Sequence, residues 1–153
     1  MPSENRALLY TATVFARAAL GTAFLSAVAD RFGLWGPAGT PHVAWGNFDA
    51  FTDYVGVLGP YLPAALWAPT AWAVTVVEVV LGFALVLGVA VRWTAFASAA
   101  TLTVFALSLL FFAGIETPFS YSVFSAAAAA LLLGLAPADS HALRLDRLWA
   151  CDR

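Results

Sequence analysis

Four stretches of this chain are long and apolar enough to cross a bilayer, and they decide the solvent against which it folds. A helical span needs about 20 mainly apolar residues. The first stretch runs from Ala7 to Ala29 and is interrupted only by Arg17, and the second runs from Thr70 to Val91 and carries Glu78 alone. Trp93 to Ile115 and Phe119 to Ala138 hold no charge. Backbone groups in hydrocarbon must be hydrogen-bonded within their own segment, so the spans are helices. The links between the second and third spans and between the third and fourth are very short, which makes those helices antiparallel neighbours. The expected fold is all-α, an integral membrane four-helix bundle forming a single domain over residues 1–153. Composition agrees: 62% of the 153 residues are apolar and 10% are charged. That is more apolar surface than one water-soluble core of this size can hide.

The seven cations are all arginine and set the expected orientation. Arg6, Arg92, Arg144, Arg147 and Arg153 fall on the side shared by both termini, and Arg31 stands alone on the other. The positive-inside rule therefore puts both termini in the cytoplasm of a bacterial plasma (inner) membrane. Tryptophans agree, with Trp35, Trp45, Trp67 and Trp72 marking the outer interface and Trp93 and Trp149 the inner one. Ala27-Val28-Ala29 ahead of Asp30 has the look of a signal-peptidase site. The apolar stretch begins well before Arg17, however, and is long enough to span, so it is read as the first helix. A net charge of −2 with no basic tract excludes a nucleic-acid binder. The lone Cys151 excludes an internal disulfide and any Cys-pair redox or zinc motif.

Residues 30–69 form the outer loop, longer than a structureless connection should be. Within it Phe48, Phe51, Val55 and Leu58 recur at helical spacing, with Asp49 and Asp53 on the other face. This predicts an amphipathic helix in the outer interface. Without cations it has no pull toward anionic lipid, which favours a lid packed on the bundle. Gly59-Pro60 and Pro63 break the chain before it re-enters at Thr70. Two readings stand open: a connector that plugs the bundle's outer end, or a cover over a lipid-facing pocket. Residues 139–153 are read as a cytoplasmic tail.

Arg17 and Glu78 are the informative charges. A charge at mid-bilayer costs about 2.5–3.5 kcal/mol on the most lenient scale and should face the bundle and a partner. The two lie at similar depth on antiparallel helices, so an Arg17–Glu78 ion pair is expected. Gly21 and Gly82 stand one turn from each charge on the same faces and allow close helix packing. Thr13 and Thr75 share those faces and can hydrogen-bond the charges. The pair reads either as a helix clasp or as a ligand-binding carboxylate held by an arginine. A second polar cluster, Glu116, Ser120, Tyr121, Ser122 and Ser125, stands at the outer end of the fourth span. Tyr121 and Ser125 share a face and join Arg17 and Glu78 as candidate ligand-binding residues for a quinone or lipid head group. Interhelical hydrogen bonds are the alternative. His42 and His141 lie outside the spans and Met1 is the only methionine, so haem ligation is not expected. No metal site and no intrinsic cofactor is expected, and no zincin, P-loop, dinucleotide or nucleophile motif occurs.

With Arg17-x-x-x-Gly21-x-x-Phe24 on the first helix and Glu78-x-x-x-Gly82-x-x-Leu85-x-x-Gly88-x-x-x-Arg92 on the second, the chain resembles the DoxX family of small bacterial four-helix membrane proteins. The long outer loop with its Pro-rich approach to the second helix is also similar. The resemblance covers most of the chain and implies a membrane component of redox systems. Family namesakes resemble the DoxD-type subunit of a thiosulfate:quinone oxidoreductase, and some members are linked to membrane complexes that handle thiol and oxidative stress. The spans lack cysteine, so catalysis would have to come from a partner subunit or a bound quinone. The leading expectation is an accessory subunit of a quinone-linked oxidoreductase without intrinsic activity, surrounded by membrane lipids. The alternatives are a lipid- or quinone-binding protein with a pocket around Glu78 and Arg17, itself catalytic or not, and a small transporter. Self-association into a homo-oligomer stays open.

Overall fold

The structure is a computed structural model that describes residues 3–137, 140 and 141. The expectations placed on Ala138, on Arg144, Arg147, Trp149, Cys151 and Arg153, and on most of the 139–153 tail lie outside the described residues. Among the described residues the chain is all-helical: α1 (Ser3–Arg31), α2 (Phe48–Leu58), α3 (Trp67–Leu87), α4 (Val91–Ser108), α5 (Thr117–Ser120) and α6 (Val123–Leu135). A 3-10 turn at Ala64–Leu66 leads into α3, and a π-helical turn at Leu109–Ala113 continues α4. Three helical stretches, Asn5–Arg31, Ala64–Leu87 and Val91–Ala113, are long and apolar enough to cross a membrane. Their outward faces carry Phe15, Val76, Val80, Phe83, Val104 and Phe111, all more than half exposed. Apolar side chains on the outside and charges on the inside are what a bundle solvated by lipid requires.

Helix ends follow local chemistry. Gly33, at φ +73, closes α1: its N–H donates to the Asp30 carbonyl and that of Leu34 to the Ala29 carbonyl. This is the Schellman arrangement, and it carries the helix past the expected end at Ala29 to include Asp30 and Arg31. α3 begins at Trp67 rather than Thr70, because Pro69 falls in the first turn, where a missing N–H leaves nothing unsatisfied. Gly88 in the left-handed region ends α3, and the chain turns into α4 within three residues.

The expected continuous fourth span, Phe119–Ala138, is interrupted. Pro118 starts the short α5, Ser122 adopts φ 55, and α6 begins only at Val123. Serine and its neighbours offer the backbone turn conformations that compete with helix. α6 has 13 residues, about 20 Å of rise, so by itself it is shorter than a hydrocarbon core of about 30 Å. Ala136, extended ahead of Pro137, ends it.

α1 packs along α3 and α4 along α6, and lighter contacts join α3 to α4 and α1 to α6. Leu20, Phe24, Leu81, Leu85, Val91, Ala95, Ala99, Ala130 and Leu133 form the shared core. The α1–α3 crossing is set by Gly21 facing Gly82. A Cβ on Gly21 would lie 2.8 Å from the Gly82 carbonyl oxygen and 2.7 Å from Val86 Cγ2, and one on Gly82 would lie 2.8 Å from Leu25 Cγ. Gly21→Leu or Gly82→Leu should therefore destabilise the fold by about 1–3 kcal/mol through overpacking. Ala100→Leu, on the outward face of α4, should not. Thermal unfolding in detergent distinguishes the three variants.

Candidate functional site

Glu78 is buried in the middle of α3, and its ion partner is Arg31, in the last turn of α1. The closest approach is 2.5 Å, between Arg31 Nη1 and Glu78 Oε2. Arg31 Nη1 also donates to Thr75 Oγ1 at 3.0 Å, and the Thr75 hydroxyl in turn donates to the Ala71 carbonyl. All three side chains are at most 3% exposed. The Phe51 ring covers the guanidinium at 3.7 Å, and Trp45 stands at 5.4 Å. Such cation–π contacts strengthen when desolvated. Arg31 Nε is buried without an acceptor, an omission that typically costs about 1–3 kcal/mol.

Arg17 does not pair with Glu78, contrary to expectation. Its Nε donates to the Leu85 carbonyl at 2.9 Å and an Nη to the Val86 carbonyl at 3.2 Å, tying α1 to the last turn of α3, where the Leu85 carbonyl also accepts the Gly88 N–H. The reason is geometric. With Gly21 set on Gly82, Arg17 lies four residues to one side of the crossing and Glu78 four residues to the other, about 12 Å apart along the axis. Side chains on a helix also lean toward its amino terminus. Arg31 and Glu78 therefore lean toward each other, and Arg17 leans away. Sequence reasoning missed Arg31 because it was counted as a loop cation. The signal was present: Arg17, Gly21, Phe24, Val28 and Arg31 follow one another at the three- and four-residue spacing of a single helix face.

The other candidates disperse as well. Tyr121 is 71% exposed and Ser125 is exposed, as are Glu116, Ser120 and Ser122. Tyr121 and Ser125 thus face outward and are not gathered with Arg17 and Glu78. Thr13 donates to the Ser140 and Tyr10 carbonyls, and Ser140 and His141 are buried. Trp45 and Trp67 both pack against the protein. Trp45 covers Arg31, and the Trp67 indole lies 2.7 Å from where a Cβ on Gly56 would stand.

A roof over the ion pair is assembled by Asp30, the residue next to Arg31. Its buried carboxylate accepts the Trp45 N–H at 2.8 Å and the Ala44 N–H at 3.3 Å, drawing the loop back across the end of α1. Asn47 then caps α2 by accepting the Ala50 N–H. Phe51 and Val55 pack on Ala71 of α3, and Phe48 joins Phe32 and Trp72 in a three-ring cluster, with centroids at 5.6 and 4.4 Å from its own and 6.1 Å between the other two. On the same helix burial, and secondarily Tyr121, push the Tyr54 phenol above its ordinary pKa.

Two outcomes follow. Arg31→Met or Glu78→Met alone should cost about 3–5 kcal/mol, because each strands a buried charge, while the double variant should recover most of the loss. Arg17→Met and Glu78→Met should instead add independently in thermal unfolding. A raised Tyr54 pKa means that the unfolded state releases its proton first. Stability associated with Tyr54 should be complete below the ordinary tyrosine pKa and fall as pH rises through the folded value. Phenolate absorbance against pH, with Tyr54→Phe as reference, reads this directly. No protein-family model, curated protein or solved structure matches the chain.

Proposed function

We propose that this chain is a DoxX-like integral membrane accessory subunit of a quinone-linked oxidoreductase or redox-stress complex. In this reading it lies in a bacterial inner membrane with both termini cytoplasmic, α5 and α6 together complete a fourth crossing, and α2 lies in the outer interface. The observation that carries the reading is how charge is distributed. Within the spans, Arg31 serves Glu78, and Arg17 caps α3 through backbone carbonyls, so both clasp helices. Outside them, exposed Asp49, Asp53 and Glu116 gather at the Arg31 end, and exposed Arg6 and Arg92 at the other. Burial of Arg31 leaves the acidic end without an exposed arginine among the described residues, which sharpens the positive-inside argument. Exposed Trp35, Tyr61 and Tyr121 join the carboxylates at that end. This gives a partner exposed aromatic side chains of the kind enriched at interfaces, with carboxylates suited to a polar rim.

Gentle extraction from the native membrane followed by native mass spectrometry should release the chain with a second protein at fixed stoichiometry. A homogeneous monomer or homo-oligomer would overturn the subunit reading. In a Cys151→Ser background, an impermeant maleimide should label Ala38→Cys in intact cells, and Val89→Cys only after permeabilisation. The reverse pattern would invert the orientation.

A further inference from the structure

The two ends of the bundle use buried arginine differently. Arg17 directs Nε and an Nη at two carbonyls in the last turn of α3, a structural use of the group. Arg31 keeps Nε buried with no acceptor, beside a carboxylate that already balances its charge. A buried ion pair adds little stability over an apolar pair of the same size, so fold maintenance alone does not account for a donor held ready in this place.

We propose that Arg31 and Glu78 form the floor of a binding site for the uncharged, carbonyl-bearing head group of a membrane amphiphile, admitted when the amino-terminal half of α2 lifts Phe48 away from Phe32 and Trp72. Arg31 Nε is the donor, and the head-group carbonyl is the acceptor it lacks. An uncharged group fits because Glu78 has neutralised the guanidinium, and a second anion would stand against that carboxylate. Phe51 and Trp45, edge to face at 5.1 Å, supply one apolar and aromatic wall against the guanidinium. The entrance is aromatic too: Phe32 and Trp72 are each about half exposed, and Phe48 packs against both while they touch each other at 6.1 Å. The carboxyl end of α2 suits such a movement, since Gly59-Pro60 follows it. A ring carbonyl and an acyl-ester carbonyl present the same acceptor to Nε. The site does not depend on the subunit reading, because it is tested on the chain alone.

The purified full chain in lipid nanodiscs is titrated separately with decylubiquinone, dioleoylglycerol and dioleoylphosphatidic acid, and occupancy is read by native mass spectrometry. Saturable binding of decylubiquinone or dioleoylglycerol is expected, and whichever binds identifies the carbonyl as ring or ester. Arg31→Lys keeps a charge opposite Glu78 but removes Nε, and should weaken binding at least tenfold. Phe48→Ala should speed association severalfold. The Arg31→Met/Glu78→Met double variant should lose binding while unfolding close to the wild type and well above either single variant. The proposal is overturned if neither uncharged probe binds saturably, if phosphatidic acid binds more tightly than both, or if Arg31→Lys or the double variant binds as the wild type does.

Discussion

The antiparallel register of α1 against α3 governs nearly everything else in this molecule. Two glycines meet where the helices cross, and neither leaves room for a methyl group. In lipid, where helices gain nothing by hiding apolar surface from one another, such close backbone approach is a principal source of association. Once Gly21 faces Gly82, every other residue on the two facing stripes has a fixed opposite. Arg17 falls at the carboxyl end of α3, Phe24 enters the core, and Arg31 comes within reach of Glu78.

Arg31 in turn organises the end of the bundle. Its neighbour Asp30 turns the other way and collects two backbone N–H groups from the loop. Adjacent residues on a helix point about 100° apart, so one turn of α1 can bind α3 with one side chain and the returning loop with the next. The loop then delivers Trp45 and α2 across the guanidinium. An ion pair that would be costly in hydrocarbon is enclosed by aromatic rings and a threonine hydroxyl.

Some of this was legible from residues alone and some was not. The apolar stretches, the helix in the loop at Phe48–Leu58, and the intramembrane position of Arg17 and Glu78 follow from periodicity and length. Helix ends were missed by a few residues because they depend on particular caps, such as Gly33 extending α1 and Pro69 lying inside the first turn of α3. The fourth apolar stretch reads as continuous by hydropathy, whereas Ser122 in a left-handed conformation divides it.

By itself, then, the sequence determined that the chain is helical, that lipid-facing surface dominates it, and which few charges must be accommodated inside. These are properties of composition and spacing within a single segment. Only the tertiary structure decided which arginine meets Glu78, because pairing depends on where two helices cross and on which way their side chains lean. The same holds for the roof. Its helix is visible in the spacing of Phe48, Phe51 and Val55, but its seat over Arg31 is set by contacts from Asp30 and α3 that no local pattern encodes.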